Sequence, residues 1–259
     1  MLRTLISGLL LAVLLLGLGL MSLAWNLVAA LLHPLLGASR GKAIGRWAIS
    51  RCYAGFWTVA GLTGVLRLDS SALDAFRDEP RLIFAANHPS MLDALILVAR
   101  LPRSACIMKA ELMRNVFLGA GARLARYIRN DSARGMVRLA VQDLREGGQL
   151  VIFPEGTRTT RPPINGFGSA ATLISKLADA PIQTVFIETD SPYLGKGWPI
   201  WRLPPMPIVF TLRVGARFAP AADAHAQQRR LEQYFAAELR SATQPAAELG
   251  GQAAESRSA

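Results

Sequence analysis

Acidic side chains are missing from the first 68 residues, which carry six basic ones. Cysteine is nearly missing: Cys52 and Cys106 form no CxxC pair, which excludes a disulfide framework and a thiolate metal cluster and fits free thiols in a reducing compartment. Charge is scarce too, at 18% of residues, which excludes a disordered polar chain. The chain lacks GxxxxGK[ST], HExxH and GxSxG, and so the P-loop, zincin and nucleophile-elbow chemistries they mark. Gly119-Ala120-Gly121 begins a dinucleotide fingerprint, but Leu124 stands at its third glycine position.

What remains is apolar and basic. The 259 residues have room for one sizeable domain, 51% are hydrophobic, and the formal net charge is +11. Of the 29 basic residues, 25 are arginine. This balance points to anionic membrane or anionic substrates, not to nucleic acid. Thr4 to Leu32 is a run of 29 residues without a charge, longer than the ~20 that cross a bilayer as a helix and longer than a signal-peptide core. A helical hairpin turning near Asn26 or at His33-Pro34 is the other reading. Arg40, Lys42, Arg46 and Arg51 follow the run and only Arg3 precedes it, which orients the rest of the chain to the cytoplasm. Cys52 to Leu66 is a shorter apolar stretch, either a core helix or an interfacial segment with Tyr53 and Trp57 at headgroup level.

Beyond residue 68 short apolar runs alternate with helical patterns. Runs at 81–86, 105–109, 127–128, 149–153, 182–187 and 208–214 read as strands, and 92–99, 132–145, 169–177 and 225–239 as helices. This predicts an α/β domain around a single sheet flanked by helices. The expected organisation is a membrane anchor at 1–36, a basic connection at 37–68, the catalytic domain at 69–243 and a flexible tail at 244–259.

Two motifs follow apolar runs directly. In Asn87-His88-Pro89-Ser90-Met91-Leu92-Asp93, a carboxylate four residues beyond the histidine's neighbour can hold one ring nitrogen and leave the other free to take a proton. A structural histidine at a helix start is the plain alternative. Phe153-Pro154-Glu155-Gly156-Thr157-Arg158-Thr159 makes a tight turn whose N–H groups and guanidinium suit a phosphate. The stretch 100–138 has nine basic residues against two acids and reads as a solvated face or a surface for anionic lipid, CoA phosphates or an acidic carrier protein. Lys196–Pro207 interleaves Trp198 and Trp201 with prolines, as an interfacial or a core-packing loop would.

Together the two motifs resemble the glycerolipid acyltransferase family, typified by the bacterial 1-acylglycerol-3-phosphate acyltransferases. Asn87–Asp93 fits the family's NHxSxxD block, Phe153–Thr159 its FPEGTR[ST] block, and Tyr127-Ile128-Arg129 resembles the block between. The resemblance covers about residues 80–190. It implies a mixed central sheet and a membrane-bound enzyme at a bacterial inner membrane. The implied reaction moves an acyl group from acyl-CoA or acyl carrier protein to a lysophospholipid hydroxyl, with no cofactor and no metal. His88 and Asp93 would be catalytic. Asn87, Ser90, Arg129, Glu155, Gly156, Thr157 and Arg158 would bind substrate. The chain departs from the family where a base is common, at Phe167-Gly168-Ser169, and where a proline is, at Thr184; a specialised, non-glycerophosphate lipid acceptor is consistent with both. A lipid or thioester hydrolase with the same base, and a binding protein with a degraded site, are the rival readings.

Overall fold

The computed structural model describes residues 2–243; the tail expected at 244–259 lies outside the described residues. Seven strands form one sheet in the order β1-β7-β6-β2-β5-β3-β4. They are β1 (Leu66–Asp69), β2 (Leu82–Ala86), β3 (Ser104–Lys109), β4 (Ile128–Asn130), β5 (Gln149–Ile152), β6 (Ile182–Glu188) and β7 (Ile208–Phe218). All neighbours are parallel except β6 and β7, so the sheet is mixed, as the resemblance implies. Central strands β2 and β5 are buried at every position, which is why LIFAA and the LVI of β5 read as unbroken apolar runs.

Helices cover both faces. On one lie α1 (Leu2–Leu32), α2 (Ala38–Thr63) and α3 (Asp93–Arg100), with the short α4 (Gly119–Leu124). On the other lie α5 (Ala133–Arg145), α6 (Ala170–Ala178) and α7 (Ala224–Thr243). Phe84, Val151 and Val185 face the first layer, and Ile83, Leu150, Ile152 and Ile182 the second. Alternate side chains thus build two cores from one sheet. Ser132 caps α5 by accepting from the Gly135 N–H.

The apolar N-terminal run is one helix and does not turn at Asn26. The Asn26 amide instead bonds to the Ser22 and Phe117 carbonyls and to the Gly121 N–H. The chain turns beyond Leu32, through His33-Pro34, and α2 packs back on α1. Near its start α1 abuts the domain as well: a Cβ added at Gly8 would stand 2.7 Å from Leu203. Gly8 and Asn26 are about 27 Å apart along the helix axis, so the domain flanks α1 over much of its length. Its outer face exposes Leu5, Leu9, Leu16, Leu20, Leu27 and Leu31.

Helix α2 decides between the two readings of its apolar stretch, in favour of the core helix, and gives Arg46 a buried partner. Trp57 is buried at 7% exposure, edge-on to Phe56 at 5.4 Å and to Phe210 at 6.0 Å, and so does not sit at a headgroup level. Arg46 is not a free flanking charge. It is 3% exposed, bonds both Asp143 carboxylate oxygens at 3.0 and 2.7 Å, and also donates to the Ala125 and Arg103 carbonyls. Lys42 joins the same carboxylate at 2.6 Å and Glu146 at 2.8 Å. Strand β1, which begins two residues before the composition shift at 68, pairs Leu66 with Ile208 and ties this helix layer to the sheet edge.

Removing one partner of a buried pair leaves the other charge without compensation. Asp143→Ala is therefore expected to cost about 3–5 kcal/mol, read as a lower urea midpoint. A loss below about 1 kcal/mol would mean that the pair does not hold α2 to α5.

Candidate active site

Strands β2 and β5 lie side by side in parallel, with Ala85 level with Ile152. Both motifs therefore leave the sheet at the same end, as neighbouring loops beyond the carboxyl ends of the strands. That is where open α/β sheets place their sites. The two strand ends are locked by side chains. Asn87, buried, continues the β2–β6 pairing by donating to the Ile187 carbonyl at 2.9 Å and accepting from its N–H at 2.7 Å. Glu155, also buried, accepts from the His88 N–H at 3.0 Å, the Thr159 hydroxyl at 2.8 Å and the Asn165 N–H at 2.8 Å. The Thr159 N–H returns the link by donating to the His88 carbonyl at 2.7 Å.

His88 stacks on Phe153, ring centroids 4.0 Å apart, and its Nδ1 lies 2.8 Å from Asp93 Oδ2. Oδ2 also accepts from the Ser90 N–H at 2.8 Å. A carboxylate only accepts, so Nδ1 carries the proton and Nε2 keeps its lone pair. The imidazole is 18% exposed, and among the described residues Nε2 has no hydrogen-bond partner. Asp93 is wholly buried, and its Oδ1 has no partner there either. Burial pushes the Asp93 carboxyl up to about 6, against the His88 and Ser90 hydrogen bonds, which pull it down.

The remaining motif residues divide by exposure. Ser90 is buried and donates to the Tyr193 carbonyl at 3.0 Å, so its hydroxyl points away from Nε2. Gly156 has φ +67°, a conformation that favours glycine, and stands exposed beside Thr157. Arg158 donates through Nη1 to the Leu194 and Gly195 carbonyls at 2.7 and 3.0 Å. The other edge of its guanidinium has no bond to the described residues. Arg129 is not brought to this cluster. It lies on β4, three strands from β2 and so about 14 Å to the side, paired with Asp131 at 3.1 Å.

Sequence reasoning missed one contributor and one cation at the same end of the sheet. The segment 189–207 between β6 and β7 folds over the first motif: the Met91 N–H donates to the Leu194 carbonyl at 3.0 Å, and the same carbonyl takes Arg158. No periodicity marks such a segment. Lys109 ends β3 beside β5; Cys106 is level with Val151, which puts the exposed Lys109 level with Pro154. Its place as a cation at the end of an apolar run was the available signal. Among the described residues no group of three or more His, Cys, Asp or Glu is placed to hold a metal ion.

Glu155→Ala would leave three donors facing an apolar methyl. The expected loss is about 3 kcal/mol of unfolding free energy, read from urea titration in detergent micelles. An unchanged midpoint would show that the clamp is not structural.

Residues 67–188 match the profile of the acyltransferase family. Among curated proteins there is no match. Of solved structures, the crystal structure of the 1-acyl-sn-glycerophosphate (LPA) acyltransferase PlsC from Thermotoga maritima is similar, with a TM-score of 0.69 over 93% of this chain and 98% of that one at 20% identity. The likeness establishes a shared fold. With both motifs built into one cluster, residues 67–188 carry an acyltransferase domain, and the chain is an acyltransferase.

Proposed function

We propose that the enzyme transfers a fatty acyl group from acyl-CoA or acyl carrier protein to the hydroxyl of a lysophospholipid held at a membrane surface. One observation carries the reading: a half-buried imidazole whose Nε2 has no partner among the described residues, its ring fixed by a buried carboxylate 2.8 Å away and by a stacked Phe153. His88 Nε2 takes the acceptor's hydroxyl proton as the oxygen attacks the thioester carbonyl. Asp93 stabilises the imidazolium. The C–O bond forms, the C–S bond breaks, and the thiolate leaves with the proton from Nε2. No acyl-enzyme is needed, because Ser90 is turned toward Tyr193.

Backbone donors for the developing oxyanion are few. The N–H groups of Ser90, Met91 and Gly156 are engaged by Asp93 Oδ2, Leu194 and Phe153. Those of Thr157 and Arg158, at the exposed end of the turn, have no partner among the described residues and supply this role. The free edge of Arg158 holds the acceptor's phosphate. Asn87, Ser90 and Glu155 act by positioning, through the bonds given above. The acceptor class follows the name of the Thermotoga maritima protein, a 1-acyl-sn-glycerophosphate. Membrane association rests on α1, which is long and apolar enough to cross a bilayer by length and composition. Its contacts at Gly8 and Asn26 support a hairpin seated along one leaflet over a single crossing. The basic flank supports the cytoplasmic face, with Arg40 and Arg51 unpaired among the described residues.

His88→Ala in the folded, purified protein is expected to lower transfer by ~10²–10⁴, measured as acylated lipid by mass spectrometry. Near-normal turnover would refute the base. Asp93 must be ionised, and its carboxyl sits at about 6. The rate constant kcat/KM is therefore expected to fall as pH drops through about 6 and to be flat above it until another group titrates. A flat profile from pH 5 to 8 would contradict the dyad.

A further inference from the structure

Helices α5 and α6 leave an apolar groove between them on the face opposite α1 and α2, with a volume of about 750 Å³. Its floor is Val137 and Val141 from α5 and Leu173 and Leu177 from α6; both leucines are exposed. Arg134, Arg138 and Arg145 rim it. The one carboxylate on the rim, Glu146, is taken by Lys42 at 2.8 Å and Gln142 at 3.0 Å. Arg145 is anchored to the Leu177 carbonyl at 2.8 Å, while Arg134 and Arg138 have no carboxylate partner among the described residues. None of these residues has a part in the chemistry derived above.

An apolar slot between two helices, flanked by uncompensated cations, is complementary to an amphipathic helix with small apolar side chains between carboxylates. The exposed leucines of α1 are on the other side of the sheet. A membrane covering them leaves this groove facing water, which favours a soluble protein over lipid. The groove also adjoins the site. Helix α6 begins just after Gly168, whose N–H donates to the Pro154 carbonyl at 2.8 Å in the Glu155 turn. The upper end of α5 follows directly from β4, about 14 Å from β2. A partner lying here could pass a flexible acyl-bearing arm over the sheet end to His88.

We propose that the α5–α6 groove docks the acidic helix of an acyl carrier protein, making a protein-bound thioester the donor for which this surface is built. The inference rests on the acyl-transfer reading, and the two fail differently. The test uses the full chain in detergent micelles, with Arg134→Glu/Arg138→Glu and, separately, Leu173→Asp. Holo acyl carrier protein is titrated against each, and KM is measured with carrier-protein and CoA thioesters of the same acyl chain. The expected result is carrier binding by the parent chain, weakened about tenfold or more in both variants, with a matching rise in carrier KM and no change in KM or kcat for the CoA thioester. Absence of binding by the parent chain overturns the proposal. So does unchanged affinity in the variants, an equal loss with both donors, or a shift in oligomeric state showing that a second copy fills the groove. If neither donor supports transfer the acyl-transfer reading fails, and the titration still decides the docking surface.

Discussion

The carboxylate of Glu155 is the point on which the site turns. It accepts three hydrogen bonds, one from each of three segments: the His88 backbone, the Thr159 hydroxyl and the Asn165 backbone. Neighbouring parallel strands bring their loops to the same end of the sheet but do not fix those loops against each other. A buried acceptor facing three donors does. A glutamine could accept through only one oxygen, which is why this position calls for a charged group. The acid in the second motif thus serves the histidine in the first, although 66 residues separate them.

Asp93 shows the opposite balance. Its burial opposes ionisation, and two hydrogen bonds to one oxygen restore much of what is lost, leaving the group at about 6. A carboxylate in that range is ionised at neutral pH and still responsive to the charge on its neighbour, which suits a group that stabilises a transient imidazolium. The other buried ion pair, Arg46 with Asp143, has no such role. It joins the helix layer that bears the exposed leucines of α1 to the far side of the domain.

Much of this was legible in the chain. Strands β2, β5 and β6 are buried on both faces and mostly apolar, and runs of that kind have few other readings. The two motifs were legible because each concentrates a titratable group, a turn former and a hydroxyl within seven residues. What hid the rest was distance. Strand β1, the LRLD after α2, is short and alternates, and only its pairing with β7 makes it a strand. Arg46 reads as a flanking charge until α5, 97 residues later, supplies Asp143. Trp57 reads as interfacial by type, and tertiary packing puts it in the core. Arg129 sits in a block that resembles the family's, and its place at the sheet edge could not be known without the strand order.

The central claim is a tautomer: a proton on His88 Nδ1 and a lone pair on Nε2. The most direct measurement is the ¹⁵N NMR spectrum of the chain labelled at its three histidines, with His88 assigned by its loss in His88→Gln. The account predicts a single His88 species above pH 7, protonated at Nδ1 and bare at Nε2, with the Nδ1 proton shifted downfield by its bond to Asp93. A ring protonated at Nε2, or the averaged mixture of a free imidazole, would contradict it.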